Sequence, residues 1–245
     1  METEGIILEV TAAERAECTG LGLSLGHLAY RISPSGVLLR STALGDARGG
    51  VMILLGVVPQ AADPTALAAA IRTECAGRGY RGVYLACDPS AAPAAALAAR
   101  LAETDLRLYV PEGVPYGIPV YDSGVTGGSF SLYMEETLSR HPGGIALELL
   151  PLAMEYILPA AGEGRALPRE ELDALLSAGY LQYYSAELAA RYVTWRDEEG
   201  RTHFVLYDDV DSLREKVRLA RAAGVRELFL LYGVLREELA DFLEI

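Results

Sequence analysis

HFVLYDDVDSLREKVRLARAAGVRELFLLYG, residues 203–233, decides the fold. An apolar run ends in an acidic turn, a longer segment follows, and a second apolar run, Leu228–Tyr232, ends at Gly233. At 3.6 residues per turn, Val210, Leu213, Val217 and Ala220 share one face of a helix spanning residues 211–223. Ser212 and Glu215 have the spacing of a capping box, Asp211 is a natural cap, and Gly224 is a helix stop. Strand, helix, strand in that order is the repeating unit of a parallel sheet.

The same alternation extends towards the N-terminus. Leu21–Leu25, Val37–Leu39, Val51–Leu55, Val83–Cys87, Leu106–Val110, Ile118–Tyr121 and Ile145–Leu149 are short apolar runs bracketed by turn residues. With Leu228–Tyr232 they make eight candidate strands. Asp63-Pro64 and Asp88-Pro89 each combine a cap with proline at the first helical position. Further helices are expected at 129–140 and 168–177. YVTWRDEEGRTHFVLY, residues 192–207, reads as two strands around an Asp-Glu-Glu-Gly turn. A barrel of eight strands and eight helices takes about 250 residues, and the chain has 245. The expected fold is α/β: a single (β/α)8 TIM-like barrel domain over residues 1–245. Its N-terminal part is irregular, because little room for helices lies between Leu21 and Leu55. A β-hairpin insertion, about residues 155–206, precedes the last helix and strand.

Charge and cysteine content narrow the function. The net charge of −13 repels phosphate backbones and anionic lipid, so neither nucleic acid nor a membrane is an expected partner. Cys18, Cys75 and Cys87 are odd in number and widely spaced, which argues against a disulfide framework or a metal site. METEGIILEV is acidic where a secretion signal would be basic, and its apolar run is too short for one. A cytoplasmic location is therefore expected. No cofactor is expected: TGGS, residues 126–129, lacks the lysine of a phosphate loop, and Asp208, Asp209 and Asp211 match no calcium loop.

Active sites of such barrels lie at the C-terminal ends of the strands. Asp88 and Glu112 end the fourth and fifth candidate strands and are the candidate catalytic pair. Asp88 before Pro89 is also a ready N-cap, and Glu112 in LYVPEG is equally a solvated loop carboxylate. Tyr121, Asp122, Glu155 and Tyr232 are candidate ligand-binding residues. Asp122 alternatively begins the turn DSGVTGG. Glu148 and Glu155 sit inside apolar runs, where a carboxylate needs a partner or a polar interior. The tyrosines near the hairpin suit sugar stacking and core packing alike.

Residues 203–233 resemble the final segment of family 18 glycoside hydrolase barrels, through Tyr207-Asp208-Asp209, Ser212, Lys216, Gly224 and Leu228–Tyr232. GYRGVYLACD (79–88), IPVYD (118–122) and GGIALELLP (143–151) resemble the family's fourth, sixth and seventh strands. The resemblance implies a chitinase-like barrel and an amino-sugar glycan as partner. The family's fourth strand carries D-x-x-D-x-D-x-E; here Arg81, Tyr84 and Ala86 stand at the aspartates and Asp88 at the catalytic glutamate. In that family the sugar's own N-acetyl oxygen attacks, oriented by the aspartate that Ala86 replaces. Two readings follow: a catalytically degenerate barrel that binds carbohydrate or another partner, or an active glycoside hydrolase using a different carboxylate pair on an amino-sugar polymer.

Overall fold

The computed structural model describes residues 3–41, 44, 47–88, 92–159, 162 and 164–244. The chain divides into two compact units. The first comprises Met1–Tyr121, His141–Glu148 and Val225–Glu237, and the second Asp122–Arg140, Leu149–Gly224 and Glu238–Ile245.

In chain order the elements are β1 (Ile6–Val10), α1 (Arg15–Cys18), β2 (Ser24–Ile32), β3 (Leu38–Arg40), β4 (Val51–Gly56), α2 (Pro64–Arg78), β5 (Gly82–Cys87), α3 (Ala92–Ala102), β6 (Arg107–Pro111), β7 (Ile118–Asp122), α4 (Phe130–Arg140) and β8 (Ala146–Leu149). There follow β9 (Ala153–Leu158), β10 (Arg165–Ala166), α5 (Arg169–Ser177), β11 (Gln182–Ser185), β12 (Ala190–Arg196), β13 (Thr202–Tyr207), α6 (Val210–Ala223), β14 (Glu227–Leu231), α7 (Tyr232–Leu235) and α8 (Leu239–Leu243).

Eight of these strands form a closed parallel barrel in the order β1-β14-β8-β7-β6-β5-β4-β2, sealed by the pairing of β2 with β1. The expected TIM-like barrel is therefore present, but its first strand is β1. The sequence of β1, IILEV, is buried at every position, as a strand covered on both faces must be. The run Val37–Leu39 is not a barrel strand; β3 is an extra strand lying antiparallel against β2. The strand expected at Leu21–Leu25 begins at Ser24 and continues to Ile32.

Alternation along each strand sorts the core into an inner and an outer set. Ile7, Val51, Ile53, Tyr84, Tyr109, Val120, Ala146 and Phe229 pack together inside the ring. Met52, Leu54, Val83 and Leu85 point the other way, onto Leu67, Ile71, Leu97 and Leu101 of α2 and α3. Gly26 belongs to the inner set. A Cβ there would lie 2.7 Å from Ile53 Cδ1 and 3.2 Å from Ile7 Cγ2, so a larger residue would push those side chains aside. Helix α2 starts as read: Asp63 accepts from the Thr65 and Ala66 N–H groups, and Pro64 is the first helical residue.

In the second unit, β10, β9, β13, β12 and β11 form an antiparallel sheet. The hairpin read from the sequence is β12–β13, but the insertion is five strands and a helix rather than one hairpin. One face of the sheet packs Val193, Val205 and Tyr207 against Leu172 of α5. On the other face Tyr183, Tyr192, Phe204 and Tyr156 form a row of neighbouring rings, the first two gaps 5.2 Å between centroids. Helix α6 is capped by Asp209 with Ser212, not by Asp211, Ser212 and Glu215. Asp209 accepts from the Ser212 N–H, and the Ser212 hydroxyl accepts from the Asp209 N–H. No helix among the described residues is long and apolar enough to cross a membrane. The three cysteines are free and buried.

Candidate functional site

The inward positions nearest the C-terminal ends of the barrel strands define the mouth. On β1, Ile7 faces the inner core, so Glu9 two residues on faces the same way, level with Leu231 at the end of β14. On β8, Ala146 faces inward and Glu148 follows it. On β5, Tyr84 faces inward, Ala86 follows, and Asp88 lies exposed beyond the strand. The inward residues Leu28, Ala86 and Glu148 at this end are only partly buried.

Glu9, Tyr84 and Glu148 form the chemical centre of this end. The Tyr84 hydroxyl donates to Glu148 Oε2 across 3.4 Å. Glu9 is 3% exposed. Burial, reinforced by the charge of Glu148, pushes its carboxyl up to about 8. At neutral pH Glu9 is therefore mostly a protonated carboxylic acid, with Glu148 acting on it. Burial also lifts the Tyr84 hydroxyl well above its usual range, so it stays a hydrogen-bond donor.

The other end of the barrel interior is built differently. Glu227, inward on β14, accepts from Arg107 at 2.9 Å and from the Tyr109 hydroxyl at 2.8 Å. That carboxylate is fully matched within the fold.

The residues singled out by sequence divide as follows. Asp88 is exposed after β5, and its N–H donates to the Gly56 carbonyl. The helix start expected at Pro89 lies outside the described residues. Glu112 is exposed in the turn after β6, on the next strand round the barrel. Tyr121 is 4% exposed, with its hydroxyl 2.8 Å from His141 Nε2. Asp122 Oδ1 accepts from the Gly124 N–H at 2.8 Å, the turn bond expected of DSGVTGG. Glu155 lies on β9 in the antiparallel sheet. Arg165 binds it at 2.6 Å and His203 Nδ1 at 2.8 Å, and those bonds hold its carboxyl below the usual range despite burial. Tyr232 is the first residue of α7 rather than the last of the strand. Its hydroxyl donates to Glu17 at 2.8 Å, and the inward place at the strand's end is Leu231.

Glu9 is the residue that sequence reading missed. Its signal is the one that drew attention to Glu148: a lone carboxylate inside an apolar run, here IILEV. Among the described residues no cluster of histidine, cysteine, aspartate or glutamate could hold a metal ion.

The fold is a TIM barrel like that of solved family 18 glycoside hydrolases. No protein-family model matches the sequence, and no curated protein matches it. Solved structures do share the fold. A family 18 N-acetylglucosaminidase from Paenibacillus barengoltzii superposes with a TM-score of 0.68 at 13% identity, covering 98% of each chain. A family 18 chitinase from Cycas revoluta, solved with allosamidin, gives 0.63 at 13% identity over 98% of this chain and 97% of its own. The spore cortex-lytic enzyme SleL of Bacillus cereus gives 0.61 at 12% identity over 93% of this chain and 70% of its own.

Proposed function

We propose that this barrel binds an amino-sugar glycan at the C-terminal mouth without carrying out the hydrolysis typical of the fold. The observation that carries the reading is Ala86. It occupies the inward position between Tyr84 and Asp88, where the resemblance calls for the carboxylate that orients a sugar's acetamide. A methyl group can neither orient an acetamide nor stabilise positive charge developing on it. Asp88 is one methylene shorter than the glutamate of the family pattern, and proton transfer is sensitive to displacements of about 1 Å. The glycan partner is supported by the neighbouring structures, among them an N-acetylglucosaminidase and a chitinase.

A second reading has its own support. Glycosidases set a neutral carboxylic acid near a second carboxyl group, and Glu9, raised by burial and by Glu148, offers such an acid. The experiment is calorimetric titration with chitooligosaccharides, paired with chromatographic analysis of the same mixtures after prolonged incubation. Binding with intact oligomer supports the first reading. Cleavage that disappears in Glu9→Gln supports the second. Absence of both binding and cleavage, for N-acetylated and free-amine oligomers alike, overturns the glycan assignment.

A further inference from the structure

His27 lies on β2 between Gly26 and Leu28, which face the barrel interior, so its side chain points out of the ring. It is 2% exposed. Its Nδ1 sits 2.8 Å from the Tyr80 hydroxyl, and the two rings meet edge to face. Its other nitrogen, Nε2, is buried and makes no hydrogen bond with any described residue. A buried polar atom of this kind is rare in a folded chain and points to a partner that the chain does not supply.

His27 also borders a cavity of about 430 Å³. The cavity lies between α1, the residues after it, the start of β2 and the turn before β4. All its lining residues belong to the first unit. The strand ends it touches are N-terminal ones, away from the mouth. Its volume suits a small organic molecule. Arg15 and Arg48 line it, and no described lining residue carries a carboxylate. The nearby acids of the α1 region turn to other partners: Glu14 accepts from Thr11, and Glu17 from Tyr232 and Arg236. Each arginine has a further interaction within the chain. A guanidinium carries five N–H donors, so that interaction does not exhaust it.

The ligand chemistry follows from Nε2 and its surroundings. When Nδ1 accepts the Tyr80 O–H, the imidazole is neutral and carries its hydrogen on Nε2. An N–H enclosed beside guanidinium donors calls for an acceptor. An ammonium would meet only donors, and a hydroxyl offers a single oxygen. A carboxylate or a phosphate offers several oxygens to several donors. We propose that this cavity is a ligand site separate from the barrel mouth, which takes a carboxylate or phosphate oxyanion on His27 Nε2–H, with Arg15 and Arg48 as further donors. The site does not depend on the glycan reading.

The test is a nuclear magnetic resonance titration of the histidine ring nitrogens at neutral pH and constant ionic strength. Inorganic phosphate and acetate are the probes, with chloride and glucose as controls. The expected result is a saturable shift of the His27 signal, with half-saturation near ~1 mM for at least one oxyanion. The better probe tells phosphate from carboxylate. His27→Phe should abolish binding, and His27→Gln, which keeps an N–H donor, should restore part of it. Circular dichroism confirms folding. Should His27→Phe not fold, the exposed Arg48 decides: Arg48→Gln should weaken binding about threefold or more, and Arg72→Gln, which lies outside this cavity, should not. No response to either oxyanion beyond that to chloride overturns the proposal. An equal response to glucose overturns it as an oxyanion site. Equal losses in Arg48→Gln and Arg72→Gln mean general attraction to basic groups and overturn it as well.

Discussion

Lys216 Nζ lies 2.7 Å from Asp208 Oδ2, and both side chains are completely buried. The second Asp208 oxygen accepts from the Ser212 hydroxyl, and the first also accepts from the Leu152 N–H. The Lys216 ammonium stands 5.9 Å above the centre of the Phe130 ring. Removing one member of such a pair leaves the other charge buried. Lys216→Met should therefore cost about 3–5 kcal/mol in chemical denaturation. Combining it with Asp208→Asn should recover part of that loss. A cost under ~1 kcal/mol for Lys216→Met would show that the pair is not structural.

Glu9 should make stability fall as pH rises. Its carboxyl ionises near 8 in the fold and in the ordinary carboxylate range, about 4.3, in the unfolded chain. The folded state thus holds the extra proton between those values, and unfolding becomes easier across that window. In Glu9→Gln the window flattens. Between pH 6.5 and 8 the difference should grow by at most ~2 kcal/mol, read from urea midpoints.

His27 works in the opposite direction. Burial, with help from the charges of Arg15 and Arg78, pulls its imidazole down to about 4, and Nδ1 sits 2.8 Å from the Tyr80 hydroxyl. The fold keeps it neutral, so stability is complete above pH 6.5 and is lost on acidification towards pH 4. The loss should reach ~3 kcal/mol. His27→Gln should flatten this acid limb and leave the limb above pH 6.5 alone. An unchanged acid limb would place the acid-sensitive group elsewhere.

The cap of α6 offers a comparison between neighbours. Asp209 receives the Ser212 N–H and also binds Arg191, whereas Asp211 is mostly exposed. Asp209→Ala should cost about 1–2 kcal/mol, and Asp211→Ala no more than a few tenths. Thermal melts of the two variants, measured together, decide it. A larger loss for Asp211→Ala would mean that the cap is misassigned.

Much of the barrel was legible because a doubly covered strand must be apolar throughout. Val51–Leu55, Val83–Cys87 and Ile118–Tyr121 announced themselves that way, and so did the glycine stop of α6. IILEV obeyed the same rule, but its position beside the N-terminus invited a comparison with leader peptides instead. The extra strand β3 was counted as part of the ring, because a short apolar run does not say whether its partner lies parallel or antiparallel. The site was less legible for a related reason. Asp88 and Glu112 were found by their place after a strand, which topology guarantees. Glu9 and Glu148 depend on which way alternate residues face, and that follows only once the ring is closed. The partners of Tyr121, Glu155 and Tyr232 come from His141, Arg165 and Glu17, and for Tyr232 the partner lies far away in sequence.

The pairing that closes the ring sets Ile6 opposite Leu228. Nearly the whole chain separates these partners, so β1 lacks this neighbour until β14 docks. Until then IILEV is an apolar edge of the kind that recruits other chains. In that interval Glu9 is solvated and ionised, and a charge in the middle of the segment discourages such association. Once β14 docks, the same residue is enclosed and takes up a proton. One carboxyl group thus guards the strand against aggregation while the ring is open and becomes a neutral acid inside it when the ring is sealed.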